Sequence, residues 1–124
     1  MKIFENDRIW IEREESDIPW LKIFPRQSCR ELSECDPDTK RVLWKVLDII
    51  ERAMLAYYRP EKINIASFGN YLPRVHLHIM ARFREDSHFP EPMWGEKQRE
   101  AKLDLPPFEA FIALLHQELE SEGI

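Results

Sequence analysis

No stretch of the 124-residue chain approaches the roughly 20 consecutive apolar residues that a membrane helix needs. The opening ten residues, MKIFENDRIW, carry acids where a secretory leader would carry a long apolar run, so a cytoplasmic location is expected. Repeats, low-complexity tracts and linkers are also missing. One domain over residues 1–124 follows, with a core hiding about two-thirds of the chain surface.

Cysteine is scarce. Cys29 and Cys35, six apart, fit neither a thioredoxin-type motif nor a zinc knuckle. The spacing permits a disulfide, but in a reducing compartment two unpaired thiols are expected. Basic charge is not in excess: 18 Lys and Arg stand against 23 Asp and Glu, a net charge of −5. That argues against a broad nucleic-acid surface, which would be basic over a face or stripe. A small phosphate ligand stays open, because a pocket needs only local donors. Apolar residues at 44 % and charged residues at 33 % are ordinary for a globular protein.

What is present reads as an α+β domain. RIWIE (8–12) and WLKIFPR (20–26) read as two strands of a hairpin, with the acidic stretch 14–17 as the turn between them. Asp36-Pro37 carries the signature of a helix start, a capping side chain followed by proline at the first helical position. Leu43, Val46, Leu47, Ile50, Ala53, Met54 and Tyr57 then recur at the spacing of one helical face, and Pro60 stops the run. KINIASF (62–68) reads as a strand and Gly69-Asn70 as a turn. RVHLHIMARF (74–83) alternates strictly. Val75, Leu77, Ile79, Ala81 and Phe83 face one way; Arg74, His76, His78, Met80 and Arg82 face the other. Residues 84–106 are polar, proline-broken and rich in aromatics, an ordered loop or lid. A last helix spans about 107–121, with Phe108, Phe111, Ile112, Leu115 and Leu119 inward. The predicted architecture is an antiparallel sheet of about four to five strands with helices packed on one face.

The chemistry-bearing signal is His76 and His78 on strand 74–83. Alternate residues in a strand lie about 6.5–7 Å apart and point the same way, so two imidazoles project side by side. A histidine titrates near 6.5, so one ring can stay neutral and nucleophilic while its neighbour carries or shares a proton. Such a pair suits attack on phosphorus, one ring bonding and the other steadying a phosphoryl oxygen. On spacing alone three readings stand together: no chemistry, a metal pair, or acid–base and nucleophilic work. A metal pair would need a third ligand, with His88, Asp86 or Glu85 as candidates. His116 on the last helix reads as a surface or boundary residue.

The run Arg74-Val75-His76-Leu77-His78-Ile79-Met80 resembles the histidine triad (HIT) signature, in which three histidines alternate with apolar residues. The longer run INIASFGNYLPRVHLHIMARF, then DSHFPEPMWG, PWLKIFPR and the RELSE segment, is similar to a bacterial, diadenosine-polyphosphate-hydrolase-like branch of that family. The resemblance covers most of the chain. It implies a HIT-like fold and a nucleotide hydrolase or nucleotidyl transferase, acting on a dinucleoside polyphosphate or a nucleoside phosphoramidate. By that resemblance His76 is the nucleophile, forming a nucleotidyl–histidine intermediate that water resolves, and His78 contacts the phosphate. Asn64 resembles a family asparagine that holds phosphate or ribose, and Glu12 an acid that binds ribose hydroxyls. The resemblance also implies a homodimer, with Trp94 at or near its interface; no cofactor, metal, nucleic acid or membrane partner is expected.

The first triad position departs from the pattern, being Arg74. Its fork of donors reads either as a clamp for extra phosphates or as a strand-end arginine in solvent. The change keeps open a nucleotide-binding or sensing protein with little turnover, beside an H-x-H metal-binding protein. A shared face for Asn64 and His76 implies pairing of 64 with 76 and a wide loop over about 68–72, presenting Asn70 and backbone N–H groups to phosphate. The whole reading expects the His76 ring to stand free on an open sheet surface.

Overall fold

A computed structural model describes all 124 residues. Five strands form one antiparallel sheet: β1 (Lys2–Glu5), β2 (Ile9–Arg13), β3 (Trp20–Pro25), β4 (Lys62–Ala66) and β5 (Leu77–Arg82), in the spatial order β1-β2-β3-β5-β4. Two helices, α1 (Pro37–Tyr58) and α2 (Phe108–Ser121), complete the fold, with a single 3-10 turn at Leu32–Glu34. This is the α+β arrangement expected, gaining one strand at the amino terminus. β1 is four residues long and lacks a clear alternation, which hides it from a periodicity argument. The signal that would have found it is the Asn6-Asp7 turn, where Asn6 Oδ1 accepts the backbone N–H groups of Arg8 and Ile9.

Helix α1 begins as its sequence dictates. Asp36 Oδ1 accepts the Thr39 N–H at 2.7 Å, and Pro37 occupies a position whose N–H would go unused anyway. Arg59 ends it in the left-handed region at φ 51°, ahead of Pro60. The expected stripe is buried except for Tyr57, which is only partly covered; Ile49 and Tyr58 join it because α2 lies alongside, and Tyr58 meets the Phe111 ring at 5.1 Å.

Alternation divides the sheet. Ile9, Ile11, Leu21, Ile23, Ile63, Leu77, Ile79 and Ala81 turn toward the helices and share one core with Phe111, Leu115 and Leu119. The opposite face carries Trp10, Glu12, Trp20, Lys22, Phe24, Asn64, His78, Met80 and Arg82, as the strand registers require. Here one expectation fails. This face is not open: Met80 and Arg82 are each 1 % exposed, and His76 and His78 each 8 %. Aromatic neighbours and the segment after β5 fold across it.

The cysteines also depart from expectation. Cys29 and Cys35 are joined as a disulfide and lie buried against α1's core. The carbonyl of Cys29 accepts the Val75 N–H at 2.9 Å, so this clasp supports the backbone just ahead of His76. No helix is long and apolar enough to cross a membrane.

Candidate active site

His76 and His78 stand with ring centroids 5.2 Å apart. His76 Nδ1 lies 3.0 Å from the carbonyl oxygen of Arg74. A carbonyl can only accept, so Nδ1 carries a proton, and in the neutral ring Nε2 keeps its lone pair. The ring stacks on Phe24 at 5.0 Å and 12°, and Phe24 stacks in turn on Trp10 at 4.9 Å. His78 is held the other way round. Trp20 Nε1 lies 3.0 Å from His78 Nδ1, and an indole N–H can only donate. His78 Nδ1 is therefore the acceptor, and its proton sits on Nε2.

Neither Nε2 has a partner within the chain. Among buried side-chain nitrogens and oxygens only Arg74 Nε is unpaired, so both Nε2 atoms still reach solvent. Two facing rings thus offer one lone pair and one N–H to an incoming group. Burial pushes His78 down to about 4, with His76 and Lys22 adding to the effect and Glu14 opposing it. Of the two expected forms, a second ring that carries or one that shares a proton, the lowered pKa of His78 favours the neutral ring that shares its Nε2–H.

Aromatic rings wall the pair. Trp94 meets His78 at 5.0 Å, Phe68 at 4.6 Å and Trp20 at 5.2 Å, all within its own subunit, while about half of its surface (49 %) stays exposed. Beside them a cavity of about 330 Å³ opens between Phe68, Trp94, Met80, Pro92 and the β4 edge at Asn64 and Ile65. Lys22 lies directly across from His78 in the sheet. Its ammonium is 2.9 Å from Glu14 and 3.9 Å from Glu12, and Glu12 also accepts the Trp10 indole N–H. Glu12 therefore shares the histidine face, as the sequence suggests, with Lys22 between them.

Asn64 shares that face too, but in a different register. It pairs with Met80 rather than His76, and Ala66 is the residue opposite His78. The connection from β4 to β5 is consequently ten residues, 67–76, along which the Val75 N–H bonds the Cys29 carbonyl rather than β4. Asn64 Oδ1 accepts from Arg82 Nη1 at 2.9 Å. Asn70 is exposed on that connection and makes no side-chain hydrogen bond. Arg74 turns its guanidinium to the Pro25 carbonyl and over the Trp10 ring, 5.2 Å from its centre.

The candidate third metal ligands are engaged elsewhere or exposed. Asp86 forms a two-pronged pair with Arg82 at 2.9 and 3.0 Å and accepts the N–H groups of Phe83, His88 and Phe89. Burial alone would raise its pKa; these donors outweigh that and hold it below the usual carboxylate range. His88 Nδ1 pairs with the Ser87 hydroxyl, Glu85 is exposed, and no third metal-binding side chain joins the two histidines. His116 sits at the boundary, Nε2 bonding the Ile3 carbonyl. Trp20, Phe24 and Lys22 escaped the sequence reading, although alternation of WLKIFP would have put all three on one face; Arg82 was placed on the histidine face but given no role.

A sheet face with two facing imidazoles, backed on its other side by both helices, is the layout of the histidine triad class. The HIT domain model matches residues 3–85, about two-thirds of the chain, and the protein belongs to that family. The chain is similar to a histidine triad protein of Bradyrhizobium japonicum, with 27 % identity, a TM-score of 0.78, and coverage of 95 % of this chain and 89 % of that one. Histidine triad proteins of Sinorhizobium meliloti and Marinobacter aquaeolei, both 24 % identical, have TM-scores of 0.73 and 0.72. They cover 97 % and 98 % of this chain and 87 % and 86 % of their own, a likeness of fold. No curated protein matches the sequence.

Proposed function

We propose that the protein hydrolyses or transfers a nucleotidyl group from a nucleoside phosphate, a phosphoramidate or dinucleoside polyphosphate, through covalent His76. One observation carries this reading: Nδ1–H of His76 is anchored on the Arg74 carbonyl, which leaves the Nε2 lone pair free and solvent-reaching. Nε2 attacks the α-phosphorus, the bond to the leaving group breaks, and that group departs with the electron pair and takes a proton from solvent. The imidazole, now bonded at Nε2, still carries its Nδ1 proton and is positive; the Arg74 carbonyl offsets that charge. Nε2–H of neutral His78 donates to a non-bridging phosphoryl oxygen, and Lys22 supplies positive charge across the strand. Water then attacks phosphorus and gives up a proton to solvent; the P–Nε2 bond breaks, its electron pair returns to Nε2, and the nucleoside monophosphate leaves neutral His76 behind. An acceptor other than water gives transfer.

The test is turnover of a fluorogenic adenosine phosphoramidate, with and without chelator, joined to mass spectrometry of rapidly quenched reactions. Chelator-resistant turnover that disappears in His76→Ala, with a nucleotidyl adduct on His76, is the expected result. Turnover persisting in His76→Ala would overturn the nucleophile. Tight nucleotide binding without turnover would make this a binding protein, and stoichiometric zinc a metal site.

A further inference from the structure

Two hydrogen bonds set the histidine pair in opposite tautomers, and they come from different sources. The one at His76 ends on a main-chain carbonyl, which any residue at position 74 supplies. The one at His78 comes from a side chain: Trp20 Nε1–H to His78 Nδ1 at 3.0 Å, across 58 residues of sequence. We infer that Trp20 is a positioning residue, whose indole N–H fixes His78 as the Nε2–H donor and sets its ring toward His76; this rests on the proposed phosphoryl chemistry at His76.

With the proton on Nδ1 instead, His78 would present a lone pair at Nε2 to a phosphoryl oxygen, and two electron-rich atoms would face each other. A doubly protonated His78 would lose the Trp20 bond altogether, since two N–H groups cannot pair with each other. Trp20 thus disfavours both wrong forms at once. Its own orientation is fixed from behind: it pairs with Met80 in the ladder, and the Trp94 ring abuts it edge-on at 5.2 Å. The charged and titratable groups facing His78 are His76 just ahead of its strand, Lys22 on β3 and Glu14 just beyond β2. None of them bonds Nδ1, so the tautomer depends on the indole.

Nitrogen-15 NMR of the intact, ligand-free protein tests this without any substrate. At pH 7 His78 is expected to show an unprotonated Nδ1 and a protonated Nε2, with a scalar coupling across the hydrogen bond to Trp20 Nε1. In Trp20→Phe the two ring nitrogens are expected to average toward exchange between tautomers, and the titration midpoint of His78 to rise. Under turnover, Trp20→Phe is expected to lower kcat about tenfold, the scale of one lost orienting hydrogen bond, with KM changed less than about twofold. A protonated Nδ1 in the wild type, or an unchanged tautomer and midpoint in Trp20→Phe, would overturn the inference. Should Trp20→Phe fail to fold, the wild-type coupling decides alone. An adduct on His76 with no Trp20 coupling would remove Trp20 and leave the proposed chemistry standing. The coupling without turnover of any nucleotide would do the reverse, leaving Trp20's hold on the tautomer intact but its catalytic purpose refuted.

Discussion

The guanidinium of Arg82 meets both carboxylate oxygens of Asp86 in a pair sealed from solvent, at 1 % and 0 % exposure. Arg82 also bonds Asn64 Oδ1 and the Glu91 carbonyl, so one residue ties β5, β4 and the loop carrying Trp94 together. Removing one partner strands a buried charge. Asp86→Ala is expected to cost about 3–5 kcal/mol of unfolding free energy in urea. The double change Arg82→Met with Asp86→Leu is not expected to recover it fully, because three backbone N–H groups lose their acceptor as well. Full recovery in the double variant would mean that the charge pair alone matters.

His78 makes stability depend on pH. Its folded pKa lies at about 4, below the ordinary unfolded value near 6.5. As pH falls below the unfolded value, the unfolded chain takes up a proton that the folded ring refuses. The contribution of His78 is therefore whole above about pH 6.5 and drains away as pH drops toward 4. Urea midpoints of the wild type and His78→Gln are expected to diverge between those limits, the wild type losing more on acidification. Parallel curves would remove the claim that His78 is held neutral.

The Cys29–Cys35 disulfide closes a loop of seven residues. By chain entropy a loop that short is worth about 2 kcal/mol. Reduction with a dithiol, or the change Cys29→Ser with Cys35→Ser, is expected to lower stability by about that amount. Intact mass before and after reduction and alkylation checks the bond. If both thiols alkylate without prior reduction, the bond does not form in that preparation and no loss is expected.

How much of this was written in the sequence differs by element. The ends of helix α1 were legible because they are local: Asp36, Pro37 and Pro60 act within a turn of themselves. The two-faced character of strand 74–83 was legible for the same reason, since alternation is a local property. What covers the histidine face was not. Phe24 and Trp20 come from a strand some 50 residues earlier, and Trp94 from the segment after β5; nothing local announces that they converge. The register of Asn64 failed more narrowly. Parity was right, but the pairing slid by four, with the Val75 N–H bonded to the Cys29 carbonyl instead of to β4. A hairpin argument cannot see a third segment taking the strand's hydrogen bonds.

Arg74 supplies the last prediction. Its backbone carbonyl orients His76, while its side chain bonds the Pro25 carbonyl and lies over Trp10. The atom that holds His76 is thus a main-chain oxygen, which any residue at position 74 supplies. Arg74→Gln is expected to keep kcat and KM for an adenosine phosphoramidate within about threefold, since a factor of three is under 1 kcal/mol. Stability is expected to drop by about 1–2 kcal/mol as the Pro25 bond and the contact with Trp10 are lost. A KM raised tenfold or more, with stability unchanged, would instead make the guanidinium a phosphate ligand. A substrate series of increasing phosphate number separates the two roles: a strut gives the same ratio of variant to wild type throughout, whereas a clamp gives a loss that grows with each added phosphate.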